Sequence, residues 1–443
     1  MAQQISISLA SHCLRRFPSL SCSLGRRHIM LWDRKSHSST ALAKMLSQSK
    51  LSTNRRFVRV SAVVVFACFI AFYAFPILPF TTNTKGTAVT QDDIALASSY
   101  GELSLPERNI LCKAHQVPPY HANSFQQQPV RRKVYDLFML NTELDWLEIR
   151  LHELASQVDY FVILESPTTF TGLPKQMYYE DNKATFGDFE DKIIHHVLEP
   201  PEKGHPGHVE NGTLVAGTPE YEAHAWTMER FQRNAMFSQV LPFLTGDAAP
   251  STHDVIIVSD IDEIPRPATV QLLRECRFSR ITTLRSKFYY YSFQWLHRGQ
   301  EWAHPQATTY QGKDQTILPA SLRELDGSLV ADPVPDSDKQ TIWNSSWHCS
   351  SCFATLAEML LKMKSFSHTN LNAEKFRSKE RIVDHIRNGK DLWDRWFQWY
   401  SRVDNNQDLP EYLKEQAKKG RFTYMIDRDG EGAGFEDYNS GEV

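Results

Sequence analysis

One feature divides the chain: from Val60 to Phe80 it reads VSAVVVFACFIAFYAFPILPF, without a charged residue. At 1.5 Å of rise per residue, about 20 such residues cross a hydrocarbon core roughly 30 Å thick, so the run predicts one transmembrane helix. Pro76 and Pro79 stand near its far end, where a helix stops or kinks. Nothing in the run is amphipathic, as a core helix would be. It lies too far from residue 1, and lacks the small-residue cleavage site, for a signal peptide.

The flanks give the run a direction. Arg15, Arg16, Arg26, Arg27, Arg34, Lys35, Lys44, Lys50, Arg55, Arg56 and Arg59 precede it, with Asp33 the only acid. By the positive-inside rule the basic tail 1–59 stays cytosolic and everything after residue 80 faces a lumen, as in a single-pass type II signal-anchor protein. Residues 1–50 are also Ser- and Arg-rich like an organelle transit peptide, and a start at Met30 or Met45 would remove much of them. The anchor survives either start. Two sequons, Asn211-Gly212-Thr213 and Asn344-Ser345-Ser346, agree with a lumenal domain. So do four cysteines past the anchor, Cys112, Cys276, Cys349 and Cys352. Cys349 and Cys352 are spaced for a tight local bridge, or one of them reaches Cys112 or Cys276.

Hydrophobic residues make up 41% and charged residues 23% of the chain, enough to bury a core. A formal net charge of -3 argues against a nucleic-acid partner, which calls for a basic surface. Residues 81–130 lack sustained periodicity and read as a stem. A folded domain is then expected over 131–426, with the Gly- and acid-rich end 427–443 fraying. Val134–Leu140 (VYDLFML) reads as a buried strand. Glu143–Leu154 follows as a helix with Leu144, Leu147, Leu151 and Leu154 on one face, and Tyr160–Leu164 as a second strand. That order predicts an α/β fold, a mostly parallel sheet flanked by helices. Trp226–Phe243 reads as a helix, Asp254–Val258 as a central strand, 280–296 as further strands, 312–346 mostly as loop and 354–402 as partly helical.

The central strand runs straight into Ser259-Asp260-Ile261-Asp262-Glu263-Ile264-Pro265. Backbone alternation puts Asp260 and Asp262 on one side. Ligand sites of open α/β sheets lie at the carboxyl ends of strands, and two carboxylates there suit a hard divalent cation. Such an ion answers a defined need, neutralising a departing diphosphate. The alternative is an acidic turn capping the next helix.

Together with ELDWLEIRLHEL (143–154), FVILESPTTFTG (161–172), ERFQRNA (229–235) and WHCSSCF (347–353), the DIDEIP segment (260–265) resembles glycosyltransferase family 17 over about residues 131–402. The resemblance implies a GT-A-like fold, with UDP-GlcNAc as donor and Mn²⁺ or Mg²⁺ as cofactor. It also implies inverting transfer to a mannose-containing glycan of a glycoprotein, in a β-1,4 linkage, in the Golgi. It assigns Asp260 and Asp262 as metal ligands with Glu263 in support, and His348 as a third metal or diphosphate ligand. Asn141, Glu143, Asp145, Arg230 and Arg233 become nucleotide-side candidates. For the general base that the acceptor hydroxyl needs, the candidates are Glu165, Glu301 and Asp314, with Glu263 counted among the catalytic residues as the support of the metal ligands. The chain departs from the family's animal members at Ser259, where they carry an acid, which leaves donor choice open. Loops at roughly 200–225 and 312–346 are where acceptor choice is expected. A transferase using UDP-galactose or GDP-mannose, an inert glycan-binding protein of the secretory pathway, and a metal-independent glycoside hydrolase are the alternatives.

Overall fold

The computed structural model describes residues 85–97, 103–120, 131–203, 205, 207, 214–325 and 334–439. The expected cytosolic tail and the apolar run 60–80 lie outside them, as does the sequon at Asn211; among the described residues no helix is long and apolar enough to cross a membrane. The described residues belong to one unit, Thr81–Val443.

In chain order the elements begin with β1 (Lys85–Ala88), α1 (Gln91–Ala97), α2 (Leu105–Ala114), β2 (Val134–Leu140), α3 (Leu144–Leu154), β3 (Tyr160–Glu165), α4 (Tyr178–Asn182) and β4 (Ile193–Val197). The middle of the chain forms α5 (Pro219–Ala235), β5 (Val255–Val258), β6 (Glu263–Pro265), α6 (Pro267–Glu275), β7 (Ile281–Tyr290), β8 (Ser292–His297), β9 (Gln306–Thr309) and α7 (Pro319–Glu324). The rest forms β10 (Lys339–Ser350), α8 (Leu356–Ser365), α9 (Lys379–Arg387), β11 (Tyr400–Arg402), α10 (Glu411–Lys418) and α11 (Thr423–Ile426). Along the sheet the order is β1-β10-β7-β9-β5-β2-β3-β4. Every strand of that path except β9 points the same way, while β6, β8 and β11 add antiparallel pairings beside it.

The uninterrupted apolar strands have a simple cause: both faces are covered. Val134 and Phe138 of β2, Phe161 and Ile163 of β3, and Val255 and Ile257 of β5 enter one core with Trp146, Leu147, Ile149, Leu151 and Leu154 of α3. The alternate residues Tyr135, Leu137, Val162, Leu164, Ile256 and Val258 enter a second core with Ala235 at the end of α5. Each large apolar side chain buried this way contributes about 1.5–3 kcal/mol.

Three sequence expectations need correction. Residues within 81–130 are not merely a spacer. β1 pairs with β10, and α2 starts in a Ser104–Glu107 capping box and is fastened by the Cys112–Cys276 disulfide. These pieces are short and held by distant partners, so they carry little pattern of their own. The 312–346 stretch contains α7 and the start of β10, which lies between β1 and β7. The chain end is packed as far as it is described. Arg428 is fully buried, donating to Tyr291 O (2.9 Å) and Phe353 O (2.7 Å), and Ala433 and Phe435 join a third core. Asp437 accepts from Leu356 N (2.8 Å) and Ala357 N (3.0 Å), capping α8. Glycine is required at 432, where φ is +56° and a Cβ would lie 2.2 Å from Tyr438 Cγ. The second disulfide is the local Cys349–Cys352 bridge.

Candidate active site

The acidic turn hangs from the carboxyl end of β5, and a buried arginine sets its shape. Arg150 of α3 has no exposed surface and pairs with Asp136 of β2 through Nε and Nη2, both at 2.7 Å. Its Nη2 also reaches Ser259 Oγ (2.5 Å), and its Nη1 donates to the carbonyls of Asp260 (3.2 Å), Ile261 (3.2 Å) and Glu263 (2.8 Å). One guanidinium thus holds four groups of the single turn between Ser259 and Glu263, three carbonyls and one hydroxyl. Ser259 is a partner in this network. The charges that build it were visible as anomalies: Asp136 interrupts an apolar strand, and Arg150 lies among the leucines of an apolar helix face.

Asp260 and Asp262 have different surroundings. Asp260 accepts from Arg233 Nη1 at its Oδ1 (2.9 Å) and from Arg323 Nη2 at its Oδ2 (3.1 Å). Its side chain is 41% exposed. Burial would raise this carboxyl, but the Arg233 and Arg323 guanidinium groups outweigh it and hold the group ionised well below the usual range. Glu263 is fully buried and spent. It accepts from Arg323 Nη1 (2.6 Å), Trp302 Nε1 (2.7 Å) and Asp260 N (2.9 Å). His304 sits beside this cluster, and burial together with Arg323 pushes its imidazole down to about 4.

Asp262 is 6% exposed, and among the described residues its carboxylate has no partner within 3.5 Å. His348 Nε2 lies 3.7 Å and Lys362 Nζ 3.6 Å from its Oδ2. Burial favours the neutral acid here, yet Lys362 and then His348 prevail and hold Asp262 below its ordinary value. The register explains His348: β10 pairs His348 with Glu263 of β6 and with Phe288 of β7, whose ring stacks on the imidazole at 4.9 Å. His348 Nδ1 is buried without a hydrogen-bond partner. A divalent cation fits this side. Oδ2 and Nε2 are close enough to touch one ion at about 2.0–2.2 Å each, and oxygen with imidazole is a suitable donor set. Among the described residues no group of three or more His, Cys, Asp or Glu converges, so the protein offers an open site rather than a cage.

Four residues beyond the last pairing of β2 with β5 (Leu137 with Val258), Asn141 overhangs the same edge as Asp262. Its Oδ1 is buried and accepts no hydrogen bond. Glu143 accepts from Asn141 N (3.2 Å) and Thr142 N (2.9 Å), shaping the loop there. Asp145 turns away to accept from Tyr424 Oη (2.8 Å), and burial raises its carboxyl. Arg230 pairs with Glu324 of α7 at the surface and does not reach the turn; Arg233, one helical step on, does.

The three base candidates lie away from the turn or are hydrogen-bonded among the described residues. Glu165 is fully buried at the end of β3, where it accepts from Tyr179 N (2.9 Å), Glu180 N (3.2 Å) and His195 Nε2 (2.9 Å) and anchors α4. Glu301 accepts from Asn344 N (2.8 Å) at the bulge of β10. Asp314 follows β9, whose Thr309 pairs with Val255, so it lies off the amino end of β5, opposite the turn. Glu263 is committed as described. The sequon Asn344 is also occupied, donating to Val89 O (3.0 Å) and accepting from Arg266 Nη2 (2.9 Å). Sequence reasoning missed Arg150, Arg323, Trp302, His304 and Lys362; only Arg150 left a pattern.

The sequence model of glycosyltransferase family 17 matches residues 107–427. The human β-1,4-mannosyl-glycoprotein 4-β-N-acetylglucosaminyltransferase is 23% identical over 343 residues, covering 67% of this chain and 56% of that protein. The rat enzyme of the same name is 28% identical over 152 residues, 33% of this chain and 24% of its own. The chain therefore spans little more than half the length of the human relative. Among solved structures, glucosyl-3-phosphoglycerate synthase from Mycobacterium tuberculosis, in complex with Mn²⁺ and UDP, aligns at 10% identity and TM-score 0.24 over 60% of this chain and 79% of its own. The mannosyltransferase PcManGT from Pyrobaculum calidifontis, in complex with GDP-Man and Mn²⁺, aligns at 11% identity and TM-score 0.24 over 67% and 74%. The family match spans strands β2 to β11, the Arg150-built turn and the β10 strand that carries His348: this chain belongs to glycosyltransferase family 17.

Proposed function

We propose that the chain transfers N-acetylglucosamine from UDP-GlcNAc to a mannose-containing N-glycan, with inversion and in a β-1,4 linkage, on a GT-A-like framework in the Golgi lumen. The observation that carries the site is the buried Asp262 carboxylate, which among the described residues has no partner within 3.5 Å and lies 3.7 Å from the imidazole of His348. The human relative's name supports the transferred sugar and the linkage. The apolar run 60–80 with its basic flank supports a type II anchor.

In this reading Asp262 and His348 would hold the divalent cation, which would supply positive charge to neutralise the leaving diphosphate. Arg150 fixes the turn so that Asp262 needs no reorganisation. Arg233 and Arg323 keep Asp260 ionised and oriented. Asn141 Oδ1 offers a hydrogen-bond acceptor for the nucleoside at the neighbouring strand end. The acceptor hydroxyl attacks the anomeric carbon, forming the new C–O bond as the bond to UDP breaks, and a general base within reach of that hydroxyl takes its proton.

The test is UDP-GlcNAc turnover by the full-length chain in Mn²⁺ and in EDTA, with a panel of N-glycan acceptors. Metal-dependent UDP release coupled to glycan modification is expected. No donor turnover and no metal-dependent UDP binding would overturn the reading, and turnover with UDP-galactose or GDP-mannose instead would replace the donor.

A further inference from the structure

The Asp262 oxygen that faces His348 is also faced by the ammonium of Lys362, for which the mechanism above has no role. Lys362 Nζ lies 3.6 Å from Oδ2, and His348 Nε2 lies 3.7 Å from the same atom. The backbone beneath Lys362 is fixed. α8 begins in a Thr355–Glu358 capping box, takes the Asp437 carboxylate on its first amides, and buries Met359 and Met363 in the third core. Only the four-carbon stem is free to move, and the side chain is 29% exposed, so the ammonium can swing without disturbing the helix.

Asp262 carries one negative charge. An ammonium and a divalent cation at a single oxygen repel one another at such separations. When a metal arrives, the ammonium therefore needs another anion. In the proposed reaction the anion that arrives with the metal is the donor's diphosphate.

We propose that Lys362 is a diphosphate-binding residue that occupies Asp262 while nucleotide is absent, so that it competes with the metal and makes metal and nucleotide binding mutually dependent. The proposal rests on the nucleotide-sugar reading above. Without nucleotide, Lys362 weakens metal binding. With nucleotide, it pairs with phosphate oxygens and leaves Asp262 to the ion. Reciprocity then requires each ligand to strengthen the other by the same factor.

The experiment uses the full-length chain and four proteins: wild type, Lys362→Met, Lys362→Arg and, as a control on the same helix, Lys364→Met. Binding of Mn²⁺ alone is read from the electron paramagnetic resonance signal of the free ion. Binding of UDP in saturating Mn²⁺ is read by calorimetry. Lys362→Met is expected to bind Mn²⁺ about 5–10-fold tighter than wild type and UDP about tenfold weaker. Lys362→Arg, which keeps a cation, and Lys364→Met should stay near wild type in both. A wild type that binds Mn²⁺ and UDP, with Lys362→Met unchanged in either affinity, overturns the role of Lys362 alone. A wild type that binds neither overturns the nucleotide-sugar reading and this inference together.

Discussion

On one side of the acidic turn, Asp260 is gripped at both oxygens by Arg233 and Arg323, although 41% of its side chain is exposed. On the other side, Asp262 is nearly buried, and its charged neighbours among the described residues, His348 and Lys362, both lie beyond hydrogen-bonding distance. Ordinary stability reasoning gives the opposite arrangement, since an exposed carboxylate is solvated by water and a buried one needs partners. The difference teaches that the two acids do different work. Asp260 is part of an arginine scaffold, whereas Asp262 is left unsatisfied where a ligand can complete it.

The largest expected effect breaks the histidine–lysine side. Asp262→Asn keeps the shape and removes the charge, and transfer should fall by about 10³-fold or more, roughly 4 kcal/mol in the transition state, in steady-state assays. Activity within tenfold of wild type would remove Asp262 from the chemistry.

Next in size is the scaffold beneath both acids. Arg150→Leu leaves Asp136 buried and uncompensated, and three turn carbonyls lose their donor. Breaking such a pair costs about 3–5 kcal/mol, read by urea unfolding. A loss under about 1 kcal/mol would mean that the turn holds itself.

The arginine side can be probed by pH. An unfolded histidine titrates near 6.5, while His304 is held down to about 4 by burial beside Arg323. Between those values the unfolded chain binds a proton that the folded chain does not. The stability His304 contributes is therefore full above pH 6.5 and lost as pH falls toward 4. From pH 7 to 4.5, wild type should lose about 1–3 kcal/mol more than His304→Gln in urea titrations. Parallel profiles would contradict the assignment.

The smallest effect sharpens what lies off the turn. Glu165→Gln keeps most of the hydrogen bonds that anchor α4, so stability should fall by about 1–2 kcal/mol with kcat within a few-fold of wild type. A collapse of kcat at unchanged fold would restore Glu165 as a base.

How far the sequence could be read follows from where each interaction is encoded. β2, β3 and β5 were legible because both faces are buried, so their apolar runs need no interruption. The acidic turn was legible because it ends such a run. The pairing of Asp136 with Arg150 left a trace as two charges in apolar company. Arg323 and Lys362 left none: each is an ordinary cation on a short helix, and only the packing of α7 and α8 brings them to the turn. The packed segments near both ends were illegible for a related reason. β1 is ordered by β10, and Arg428 by the carbonyls of Tyr291 and Phe353, partners far away in the chain. Glu165, Glu301 and Asp314 misled because a carboxylate near a strand end looks available until its hydrogen bonds, or its end of the sheet, are known.

The division of labour between the two acids is tested most directly by Mn²⁺ binding in the presence of saturating UDP. Wild type, Asp260→Asn and Asp262→Asn would be compared by electron paramagnetic resonance. The account predicts that Asp262→Asn loses the bound ion while Asp260→Asn retains it within a few-fold of wild type. Loss of the ion in Asp260→Asn, with retention in Asp262→Asn, would contradict it.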